Sequence, residues 1–115
     1  SIAKRKGIFL SQQDSSLSRE EYEYYTTPTE FYAKMLLLKD TIAEKYPEKI
    51  DQQTGKIDKK FLRYLMQQAK RSRQTVLPRG ALNILKVLDH TKVDQIQSFF
   101  DMIAKRTGKT PQRMA

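Results

Sequence analysis

Between residues 56 and 79 the chain carries eight cations, Lys56, Lys59, Lys60, Arg63, Lys70, Arg71, Arg73 and Arg79, against the single carboxylate of Asp58, a local charge of +7. Cations at that density can neutralise several phosphates of a nucleic acid, a contact that gives affinity without reading sequence. Exposed tyrosines could add stacking on single strands. An acidic protein surface would be met by the same side chains through the same electrostatics. Lys59, Lys60, Arg63, Lys70, Arg71, Arg73 and Arg79 are therefore the candidate contacts to nucleic acid or another anionic partner. No helix start here carries the Asn, Gln and Arg set that reads base edges, so any such contact is mainly to phosphates.

Catalysis asks for convergent groups, and the sequence does not supply a set. His90 is the sole histidine, placed beside Asp89 between two apolar runs, where a surface or capping role is expected. Zinc usually takes three or four protein ligands, and a zinc peptidase needs a His-Glu-x-x-His helix for two of them and its general base. The four glycines, at positions 7, 55, 80 and 108, are too far apart to form a phosphate loop, and there is no cysteine for a disulfide or thiolate site. The expectation is a chain without catalytic residues, cofactor, metal or small-molecule substrate. Thr27, Pro28 and Glu30 fall at N-cap, N1 and N3 of a helix, so Glu30 reads as half of a capping box.

These side chains must be held by a small domain. At 115 residues, with 38% of them apolar, the chain can bury one helical core. No run approaches the ~20 apolar residues of a membrane span, so no membrane partner is expected. The chain starts at Ser1 without methionine, and Ser1-Ile-Ala-Lys-Arg-Lys6 lacks the apolar segment of a signal peptide, so it reads as a piece of something larger. The net charge of +9 is segregated: residues 17–55 carry five cations against eight carboxylates, whereas Lys105, Arg106, Lys109 and Arg113 add four uncompensated charges at the end. A dipolar molecule of this kind suits an anionic partner on one side.

The pattern is all-α: a small bundle of four or five helices with an extended N-terminal arm over 1–17, a helical domain over 18–108 and a basic tail over 109–115. Ile8, Phe9 and Leu10 would tuck the arm onto a neighbouring surface. Ser18-Arg-Glu-Glu21 spells a capping box for a short helix through Tyr25. Phe31, Met35, Leu38, Ile42 and Tyr46 then recur at helical spacing, widened by Leu36 and Leu37, until Pro47 stops the run. A polar linker follows over 47–57, with a turn at Gln52-Gln-Thr-Gly55. Asp58 caps a helix with Phe61, Leu62, Leu65, Met66 and Ala69 on one side and Lys59, Arg63 and Lys70 on the other; residues 71–75 fit either its continuation or a loop. Pro78 opens a compact helix, apolar on more than half its circumference and so buried on two sides. Thr91 is the expected cap of the last helix, which turns Val93, Ile96, Phe99, Phe100 and Ile103 inward and stops at Gly108 and Pro111. The aromatic faces of the second and last helices are expected to meet.

One resemblance adds to this. Glu23-Tyr-Tyr25, Pro28-Thr-Glu-Phe-Tyr-Ala-Lys34, Ile57-Asp-Lys-Lys-Phe-Leu62 and Phe99-Phe-Asp-Met-Ile-Ala-Lys-Arg106 follow one another in an order that resembles the C-terminal helical part of zinc-metallopeptidase-like virion proteins of large tailed phages, notably the crAss-like group. The motifs are short and span Glu23 to Arg106. The resemblance implies that Glu30 matches the family's third metal ligand, which would hold metal only with a His-Glu-x-x-His helix upstream of Ser1. It further implies a structural or internal, cargo-type component of a virion assembled in the bacterial cytoplasm, partnered by other virion proteins and packaged DNA. The residues alone leave an alternative open, a stand-alone basic nucleic-acid-binding accessory protein. Between the two occupants of the basic segment, the sequence reading leans narrowly to an acidic virion protein.

Overall fold

The computed structural model describes Leu10 and residues 17–51, 53–71 and 76–107, with side chains as far as Ile103. Among these residues there are five α-helices and no sheet: α1 (Arg19–Thr26), α2 (Pro28–Lys45), α3 (Lys59–Lys70), α4 (Arg79–Val87) and α5 (Val93–Thr107), with single 3-10 turns at Pro47–Lys49 and His90–Lys92. The fold is the expected small all-α bundle. Leu10 is buried and forms an isolated antiparallel bridge with Leu88, and Leu17 is buried as well. The rest of the arm, Arg73, Gly108, Pro111 and the basic tail lie outside the described residues.

The α1 start forms as its spelling predicts. Ser18 Oγ accepts from the Glu21 amide at 3.0 Å, and Glu21 Oε1 accepts from the Ser18 amide at 3.0 Å. The second capping box does not form. Thr27 is at once the last cap of α1 and the first of α2, and its hydroxyl turns backward, donating to the Tyr24 carbonyl at 2.9 Å. Pro28 at N1 has no amide to offer, and Glu30 turns to Lys34 instead. The two sites therefore differ in a measurable way. Ser18→Ala should cost about 1 kcal/mol, whereas Thr27→Ala should stay within about 0.5 kcal/mol, as for an exposed residue without a cap bond. Equal losses in urea melts would show that Thr27 caps α2 after all.

The α2 helix is about 27 Å long at 1.5 Å per residue, and Phe31, Met35, Leu38 and Ile42 are its fully buried stripe. Near its C-terminal half Lys39 is also buried; desolvation lowers the pKa of its ammonium group, and Asp40 and Asp101 offset part of that. The linker after α2 is less polar than its composition suggests. Ile50 and Ile57 form a bridge and are both buried, with Gly55 at φ 77° closing the turn between them. Asp51 holds that turn by accepting from the Gln53 and Thr54 amides at 2.8 and 3.0 Å, which lowers its pKa.

The hub is α4. It packs against α1, α2 and α3, and Ala81, Ile84, Leu85 and Val87 have no exposed surface. Gly80 sets its distance from α2: a Cβ there would lie 3.0 Å from Leu37 Cδ2 and 3.1 Å from two carbons of Lys34. Asn83, polar within that apolar helix, donates to the Tyr25 hydroxyl of α1 at 3.1 Å, which satisfies both groups in the core. The start of α5 departs from expectation. Asp89, not Thr91, is the cap: its carboxylate accepts from the Thr91 amide at 3.0 Å and hydroxyl at 2.7 Å, opening a 3-10 turn that runs into α5. The five apolar positions predicted on α5 are all buried, and Phe31 meets Phe99 at 5.3 Å between ring centroids, joining α2 and α5 in one core.

Candidate nucleic-acid interface

The apolar stripe of α3, Leu62, Leu65, Met66 and Ala69, faces inward. Helical geometry then sends Lys60, Arg63, Tyr64 and Gln67 outward. Arg71, the C-cap, continues the row after Lys60, Tyr64 and Gln67, at successive spacings of four, three and four residues. Lys60, Arg63, Tyr64 and Arg71 are all exposed.

The remaining candidates separate from this row. Lys59 is drawn to α5, where its Nζ lies 2.7 Å from Asp94 Oδ1; the contact lowers the Asp94 pKa, with Arg63 adding to the effect from farther off. Both partners are more than half exposed, so the pair is weak and opens at small cost. Lys70 is half-buried and donates to the Lys86 carbonyl at 2.8 Å, satisfying a group at the end of α4. Its place on the outward face is therefore a correction: a lysine in the last turn of a helix has a four-carbon stem long enough to reach a neighbouring carbonyl. Arg79 is exposed but starts α4, seven residues or about 10 Å along the axis from Lys86, on the side where Gly80 meets α2. Among the described candidates, the +7 segment thus resolves into a row of Lys60, Arg63 and Arg71 on α3, a paired Lys59, a structural Lys70 and an exposed Arg79 on α4.

What sequence spacing missed is the aromatic rail beside the row. Tyr46 at the end of α2 meets Phe61 edge-on at 4.8 Å between centroids, and Phe61 stacks with Tyr64 at 6.2 Å and 27°. Lys49 Nζ lies 5.5 Å from the Phe61 centroid, a cation–π contact that leaves a fourth cation beside the rail. Phe61 and Tyr64 are three residues apart on one helix, a legible signal for neighbours; Tyr46 joins them only through the fold. At the N-terminal end of α3 a shallow depression is lined by side chains of both signs, Glu48, Asp51 and Asp58 with Lys49 and Lys56.

Glu30 and His90 sit apart from this face. Glu30 forms an ion pair with Lys34 at 3.1 Å and accepts from the Tyr24 hydroxyl. These contacts hold its carboxyl below the usual range, while Lys34 and Tyr24 are both raised by the bond to Glu30. His90 opens the 3-10 turn after Asp89, and the Asp89 carboxylate is occupied by Thr91. Among the described residues no helix is long and apolar enough to cross a membrane.

The fold and this face together define a class: a small all-α domain with an exposed basic row flanked by stacked aromatic rings. No family model matches the chain, and no curated protein or solved structure matches it either.

Proposed function

We propose that this chain is a non-catalytic helical module that binds nucleic acid through the outward face of α3. The observation that supports the reading most directly is the row of Lys60, Arg63 and Arg71, exposed and separate from the lysines that the fold uses internally. Side chains of this kind contact phosphates and give affinity that is indifferent to base sequence. The neighbouring rail of Tyr46, Phe61 and Tyr64 moves the balance from an acidic protein, toward which the sequence alone leaned, to a nucleic acid, because bases offer flat faces as well as charge. In the setting that the tailed-phage resemblance implies, the polymer is DNA packaged in the virion, and the protein is an internal or structural component that packs against other virion proteins. The same chemistry serves a free-standing accessory protein.

Fluorescence anisotropy with labelled oligonucleotides of unrelated sequence tests the molecular part. Binding at low salt should be equal across sequences of one length and strandedness, and log K should fall linearly with log salt. No binding at low salt would overturn the reading and give the face to an acidic protein. Recovery of the chain from purified phage particles tests the setting separately.

A further inference from the structure

We infer that Tyr64 is a base-stacking platform, so that the ligand of the α3 face is a single strand rather than a duplex. This rests on the nucleic-acid reading above and adds to it the form of the polymer. Tyr64 is 52% exposed, yet its ring is supported from behind: Phe61 stacks on it, and Phe61 is held edge-on by Tyr46 and covered by the Lys49 ammonium group. Such a ring is pre-oriented, and a base laid against its open face loses little freedom on the protein side. Every base has a π face, so the contact tolerates any sequence, in keeping with a row of phosphate-binding cations. In a duplex the base faces are already stacked on one another and only edges and backbone remain to be met.

The position of the charges fixes how the strand lies. Lys60 and Arg63 flank Tyr64 within one turn, and Arg71 lies about 10 Å beyond it along the helix axis, seven residues at 1.5 Å each. The row therefore lays the strand along α3, from Lys60 past Tyr64 and Gln67 to Arg71. Tyr24 is similarly exposed at 49% but is no counterpart. Its hydroxyl is tied to Glu30, and Glu20 and Glu23 share its short helix, so its surroundings repel a polyanion.

The test uses the whole chain with an oligothymidylate of about 12 nucleotides, a length within the range covered by one compact single-strand site, and a duplex of equal length. The parent should prefer the single strand. Tyr64→Ala should weaken single-strand binding by about tenfold or more, weaken duplex binding much less, and leave the chain folded. Tyr64→Phe, which keeps the ring and loses the hydroxyl, should bind as the parent does. Tyr64→Ala binding the single strand like the parent, or Phe failing to restore what Ala loses, overturns the stacking role. If sequence-indifferent, salt-dependent binding persists in that case, the phosphate reading survives alone. If the parent binds neither form at low salt, both readings fall together.

Discussion

Phe100→Ala is expected to lower the stability of the fold by about 3–5 kcal/mol. The ring has no exposed surface and projects from α5, which packs against both α2 and α3. Its neighbours along the α5 stripe, Ile96 and Ile103, are equally enclosed. A cavity left there is bounded by helices that α4 already holds at close approach, so collapse around it is restricted, and cost rises with the volume that stays empty. Small domains have only about 5–15 kcal/mol in total, and the loss would leave the variant near the edge of folding at ambient temperature. Urea unfolding followed by circular dichroism should show a large drop in midpoint with an unchanged slope. Phe99 provides the contrast on the same helix. It is slightly exposed and contacts Phe31 and Tyr32 at 5.3 and 5.9 Å, so Phe99→Leu, which keeps much of that apolar contact, should be the milder change. An unaltered midpoint for Phe100→Ala would mean that α5 does not seat as described.

Much of the bundle was legible because helix faces are periodic. The stripes from Phe31 to Ile42, from Leu62 to Ala69 and from Val93 to Ile103 are spelled at helical spacing, and all of them are buried. Local hydrogen-bond chemistry was legible only where one residue had one option. Ser18 opens α1 without closing another described helix, and its box with Glu21 forms. Thr27 ends one helix as it starts another, and its hydroxyl takes the carbonyl behind it. Asp89 outcompetes Thr91 because a carboxylate two residues ahead accepts both the amide and the hydroxyl of Thr91. Ile50 and Ile57 carry no periodicity, and their burial follows from a turn whose register depends on Asp51 and Gly55.

For the candidate interface, sequence revealed which cations are near one another along the chain but not which ones the fold occupies. Helical spacing puts Lys59 and Lys70 close to Arg63 in projection, and only the positions of Asp94 and the Lys86 carbonyl remove them from the free face. Arg79 is close in the chain but belongs to another helix, whose first residue it is. The rail shows the reverse: Tyr46 and Phe61 are separated by a whole linker and meet because Ile50 pairs with Ile57.

That division of the cations yields the second large effect. Replacing Lys60, Arg63 and Arg71 together by alanine should flatten the slope of log K against log salt by about two units on a single strand and between two and three on a duplex, from about 0.7 and 0.9 per neutralised phosphate. Across a fourfold rise in salt this removes a fall in affinity of about twentyfold on the single strand. All three side chains are exposed, so the melting midpoint should hold, and weaker binding is not a folding defect. The control is the double replacement of Lys59 and Lys70 by methionine. Lys59 already has Asp94, and Lys70 has the Lys86 carbonyl, so neither releases a full counterion on binding, and the slope should change by less than about one unit. The stability signature should be opposite as well: Lys70→Met strips a carbonyl at the end of α4 of its donor and should cost about 1 kcal/mol. If the double variant flattens the slope as much as the triple one, nucleic acid approaches from the α5 side of α3, and Tyr64 stands on the wrong flank to stack.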